Sequence, residues 1–114
     1  MQVQFNSDSS VMGTENVAER IEARVRDKLS RFEGRLTRLE IHVRDENGAK
    51  GGGDDKACTI EARPSGGKPI GVTAHAAKVD DAAGKAANTL AQRLERHFGK
   101  GDKHKHDARP DKVM

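Results

Sequence analysis

The sequence predicts an α+β domain in which two helices pack on one face of a four-stranded sheet, in the order β-α-β-β-β-α. Four short segments alternate apolar and polar residues with period two and are bounded by turn-forming residues. Two longer segments repeat apolar residues at helical spacing. Each strand has only one apolar face, so the sheet calls for one covering layer.

Residues 1–6 alternate, with Val3 and Phe5 on one side and Gln2 and Gln4 on the other. After a turn-like stretch from Ser7 to Gly13, Thr14 is a helix N-cap, and Glu15 and Glu19 suit the positive end of the helix dipole. Val17, Ile21, Val25, Leu29 and Phe32 carry that helix to about Glu33, with Gly34 as its stop. Leu39, Ile41 and Val43 alternate with Arg38, Glu40, His42 and Arg44 in the second strand. The loop DENGAKGGGDD is too rich in Gly and Asp to order by itself.

Cys58, Ile60 and Ala62 mark the third strand, and Pro64-Ser65-Gly66-Gly67 turns the chain. Ile70, Val72, Ala74 and Ala76 mark the fourth. Asp80 and Asp81 open the last helix and Gly99 closes it. Its apolar stripe is largely alanine. The apolar faces place both helices on the side of Val3, Ile41, Ile60 and Val72. Residues 1–100 form the domain, and residues 101–114 have no periodicity and read as a disordered basic tail.

A chain of 114 residues is one domain with a modest core. Only 33% of residues are apolar against 34% charged, and the mean hydropathy is −0.85, so the placement of the apolar residues has to carry the case for a fold. No run of about 18 apolar residues exists to span a membrane. The start MQVQFNSDSS has neither the basic nor the apolar region of a signal peptide. The single cysteine, Cys58, has no internal partner, which suits a reducing cytoplasm.

The net charge is only +3, so position matters more than total. At about 100° per residue, Arg20, Arg24, Lys28, Arg31 and Arg35 fall on one flank of the first helix. Glu15, Glu19, Glu22 and Glu33 gather on the other. In the last helix Lys78, Lys85, Arg93, Arg96 and Lys100 share a flank with Thr89, while Asp81 and Glu95 fall elsewhere. Any solvated helix needs charge, but the same sorting on two helices suits phosphate contacts along RNA, which position a protein without reading sequence. Thr59, Glu61, Thr73 and His75 occupy the open sheet face, so bases have no aromatic platform there.

Other signals carry no chemistry. GAKGGGDDK lacks the phosphate-loop spacing and joins two strands. His104 and His106 sit among lysines that repel a cation. His42 and His75 lack a third ligand and read as a surface pair. Cys58 reads as a small core residue. No nucleophile stands with a base and an orienting acid, so an enzyme is not expected, nor a cofactor, a metal or a small-molecule substrate.

MQVQFNS, VAERIEARVRDKLSRFEG, LEIHVRDENG and the Lys-rich approach to LAQRLERHFGK resemble the ribosome hibernation-promoting factors, also called ribosome-associated inhibitors or ribosomal subunit interface proteins. The resemblance spans about residues 1–100 and is most specific at Leu90, Arg93, Leu94, Glu95 and Arg96. It implies the same β-α-β-β-β-α fold and binding to the small ribosomal subunit, or to the 70S ribosome, where mRNA and tRNAs would lie. Translation in resting bacteria is thereby silenced.

On this resemblance Arg20, Arg24, Lys28, Arg31, Lys85, Arg93 and Arg96 are rRNA contacts, and Lys78 and Lys100 extend the flank. Long forms carry a second, dimerising domain, and this chain resembles a short form. It departs from the pattern at Gly84, where a tyrosine is usual, and in a longer Gly-rich loop at residues 48–53. Two alternatives stand beside this reading. One is a double-stranded-RNA module, against which the strand at Val3 and Phe5 argues. The other is a protein-interaction domain of the same fold with lost or weakened rRNA binding, for which Gly84 argues.

Overall fold

The computed structural model describes residues 1–7, 17–46 and 55–107, with side chains through residue 99. The elements are β1 (Gln2–Ser7), α1 (Val17–Lys28), a 3-10 helix (Ser30–Arg35), β2 (Leu36–Asp45), β3 (Lys56–Pro64), β4 (Ile70–Ala76) and α2 (Val79–Asp107). The sheet runs β1-β2-β3-β4. β1 pairs parallel to β2, as a helical crossover requires, and the two later pairings are antiparallel.

The register follows from the alternation. Phe5, Ile41, Ile60 and Val72 stand in one row across all four strands, and Val3, Leu39, Ala62 and Ile70 in the next. A slip by one residue would expose every one of them. Val17, Ile21 and Val25 of α1, and Leu29 just after it, close over this face, with Ala82, Ala83, Ala86, Ala87, Leu90 and Leu94 of α2. The four alanines are fully buried, and their small side chains let α2 lie close on β3 and β4. Thr59 and Thr73 lie on the opposite face, their hydroxyls 2.7 Å apart. The expected layering and helix side are therefore found.

Two expected helix stops are not. α1 ends at Lys28, and Ser30–Arg35, which includes Gly34, tightens into the 3-10 turn before Leu36 leaves in extended conformation. α2 passes Gly99 and continues to Asp107. A glycine closes a helix by turning left-handed. Among the described residues only Gly66, in the β3–β4 turn, has a positive φ, 73°. Residues 101–107 of the expected tail thus belong to α2. Thr14, Glu15, the loop at 47–54 and residues 108–114 lie outside the described residues.

Candidate nucleic-acid interface

The basic flank of α1 faces α2. Arg20 Nε and Nη2 donate to Asp80 Oδ2 and Oδ1 at 3.0 and 3.1 Å. One turn on, the Arg24 guanidinium covers Gly84: a Cβ built there would lie 3.0 Å from Nη2 and 3.1 Å from Nε. Farther on, Arg31 Nη2 donates to Glu95 Oε1 at 3.1 Å. Rising residue numbers on both helices show that they run parallel. The hydrogen bond to Asp80, and then its charge, hold the Arg20 pKa above the ordinary arginine value. Arg20 and Arg31 are thereby joined to carboxylates, and their charges are largely cancelled locally.

The basic flank of α2 behaves differently. It lies on the other side of that helix, above the outer strand β4. Lys85 Nζ donates to the carbonyl oxygen of His75 at 3.1 Å, and Arg93 Nη1 to that of Gly71 at 3.2 Å. The spacing explains the fit. Eight helical residues cover about 12 Å and four strand residues about 13 Å, so both cations meet outward-facing edge carbonyls. A carbonyl fixes a cation in place but carries no net charge to cancel it.

Lys78 and Arg96 are exposed on the same flank. Among the described residues the side chains of Arg24, Lys28, Lys78 and Arg96 have no hydrogen-bond or ion-pair partner. The Lys100 side chain lies outside the described set. The eight candidates whose side chains are described therefore do not form one ridge. They fall in two lines, one in the α1–α2 seam and one beside β4, with the outer face of α2 between them. Helical-wheel geometry already places Asp80, Gly84 and Glu95 within about a quarter turn of one another, but which neighbour that arc faces is not a local property.

The open sheet face is polar and internally paired. Arg38 meets Glu40 at 2.9 Å and also donates to Gln4; His42 lies 3.6 Å from Glu40. Arg44 and His75 both reach Glu46, at 3.1 and 3.0 Å. The pairing register puts β3 between His42 and His75, so the two are not neighbours. Among the described residues no Phe, Tyr or Trp stands with these groups, and both imidazoles lie beside carboxylates. Among the described residues no cluster of His, Cys, Asp and Glu could hold a metal, and no helix is long and apolar enough to cross a membrane.

Residues 10–101 match the family model described as "Sigma 54 modulation protein / S30EA ribosomal protein". No curated protein matches the sequence. Among solved structures, the fold is similar to that of a ribosomal subunit interface protein from Coxiella burnetii, with a TM-score of 0.68 and 15% identity over 87% of this chain and 99% of that one. The Protein Y N-terminal domain from Thermus thermophilus gives a TM-score of 0.66 and 15% identity over 85% of this chain and 99% of that one. At such identity the likeness is one of fold.

Proposed function

This chain belongs to the sigma 54 modulation protein / S30EA ribosomal protein family, and from that membership we propose that it binds rRNA of the small ribosomal subunit and holds ribosomes in an inactive state. No catalytic step is part of this reading.

The observation that carries the proposal is the tethering of Lys85 and Arg93 to backbone carbonyls. Two cations held about 12 Å apart, without carboxylate partners, form a pre-set mount for two phosphates of one strand that are not adjacent. Arg96 and Lys78 extend that line, and Arg24 and Lys28 add cations at the seam. Phosphate contacts of this kind position a domain on RNA without reading its sequence.

Arg24 also bears on the protein-interaction alternative. The position of the missing tyrosine is covered by a guanidinium, so a cation stands where an aromatic ring would have been. That favours continued binding of RNA over a surface given up to another protein.

The test is co-sedimentation with ribosomes on sucrose gradients. Replacing Lys85, Arg93 and Arg96 by Gln should abolish association and flatten its salt dependence by about 0.7 to 0.9 for each phosphate no longer neutralised. Changing Glu19 and Glu22, both on the acidic side of α1, to Lys should leave binding unimpaired. Undiminished binding of the triple variant would remove the proposal. Gradient position would also separate binding to the small subunit from binding to the 70S particle.

A further inference from the structure

Two of the chain's three phenylalanines meet where the 3-10 helix packs against α2. The Phe32 and Phe98 ring centroids are 5.8 Å apart with 27° between the planes. Phe32 is buried, whereas Phe98 is half-buried. The Arg31 Cζ lies 4.8 Å from the Phe32 centroid, and the Arg35 Cζ 5.0 Å from that of Phe98. Together with Glu95 and Gly99 these four residues line an open cleft of about 360 Å³.

Closing the core end explains the burial of Phe32. A leucine at 98 would close it equally well, and closure does not call for two guanidinium groups placed over the rings. Layered guanidinium and aromatic planes are a recurrent way to receive an unstacked nucleobase. Arginine suits this role because its plane can stack while its charge meets phosphate.

Resting on the RNA reading above, we infer that this cleft receives one unpaired base of an RNA strand. The base stacks on the Arg35 guanidinium, which is itself backed by Phe98, and the adjoining phosphate lies beside Arg31. Arg31, joined to Glu95 at the mouth of the cleft, can share its remaining guanidinium donors with a phosphate. Its volume is at the small end of ligand pockets, which suits a single base. The seam carrying Arg24 and Lys28 leads into it from one side, so a backbone held there can place its next base in the cleft.

The experiment titrates the full chain with the RNA hexamer rA6 and, separately, with an abasic hexamer carrying the same phosphates. NMR follows the Phe98 ring and the Arg35 side-chain signals. rA6 should bind about tenfold more tightly than the abasic strand. Phe98→Leu should abolish that preference and leave abasic binding unchanged. Arg35→Lys, which keeps the charge and removes the plane, should do the same and decides the matter alone if Phe98→Leu does not fold.

Equal affinity for the two strands, a preference that survives both substitutions, or no response of these signals to either strand would overturn the inference. Each outcome is separable from failure of the ribosome reading, because co-sedimentation that depends on Lys85 and Arg93 is measured independently of base preference.

Discussion

Arg93 Nη1 donates to the carbonyl oxygen of Gly71 at 3.2 Å, so a side chain of α2 caps the free edge of the sheet. Lys85 does the same at His75. These residues therefore hold α2 to β4 as well as presenting charge, and the two roles can be separated. Glutamine keeps a donor and loses the charge; glutamate loses both and sets a carboxylate against a carbonyl. Lys85→Gln with Arg93→Gln should keep a Tm close to that of the parent. The corresponding Glu pair should lose about 1 kcal/mol per hydrogen bond broken. Thermal unfolding of the two double variants checks this, and equal Tm values would show that the edge hydrogen bonds contribute nothing.

Glu95 restrains Arg31 across the helix seam, at 3.1 Å in an exposed setting. Exposed pairs contribute little to stability. Glu95→Gln should therefore leave the Tm nearly unchanged and release Arg31 toward phosphate. Binding to ribosomes should tighten, with a salt slope steeper by about 0.7 to 0.9. Weaker binding would mean that the ion pair itself sets the geometry in which Arg31 meets RNA.

The sheet was legible in the sequence because the period of two is local: Phe5, Ile41, Ile60 and Val72 each declare a face, and pairing follows from aligning the faces. Charge sorting was legible for the same reason, since a helical wheel needs only the residues of one helix. What each charged flank confronts was not. Arg20 meeting Asp80 and Arg31 meeting Glu95 involve separations of 60 and 64 residues and depend on how two helices dock. The stops expected at Gly34 and Gly99 failed for a related reason. Glycine permits a left-handed turn without demanding one, and neither residue takes it.

Cys58 is fully buried beneath the helices, and burial pushes its thiol pKa up to about 12. The unfolded thiol ionises at about 8.5. Its protonated form is therefore favoured in the fold, a contribution present in full below about pH 8.5 and lost as pH rises toward 12. Relative to Cys58→Ala, the parent should lose about 1.4 kcal/mol of stability per pH unit inside that window. Urea unfolding at pH 8 and pH 10 measures the difference, and parallel pH dependence of the two proteins would refute it. Lys56, whose pKa is raised chiefly by its hydrogen bond to Asp55, titrates alike in both and cancels. In the native state Cys58 should also resist a thiol reagent at pH 8 until the protein opens.

Gly84 offers the closest test of how α1 and α2 fit. It is buried within α2, where glycine costs about 1 kcal/mol relative to alanine. A methyl group there would meet Arg24 Nη2 at 3.0 Å and Nε at 3.1 Å, which is tight, so the guanidinium has to yield by a few tenths of an ångström. Arg24 is exposed, its guanidinium ends a flexible side chain, and it has no ion-pair partner among the described residues. It is therefore able to yield. Gly84→Ala should stabilise the domain by something approaching the propensity difference, up to about 1 kcal/mol in urea unfolding. Ribosome binding should be unchanged, because Arg24 keeps its charge and shifts only slightly. A destabilised variant would mean that Arg24 is clamped over Gly84 and that the seam cannot open. In that event Gly84→Ala should also weaken binding, since the guanidinium would be forced out of the position from which it meets phosphate.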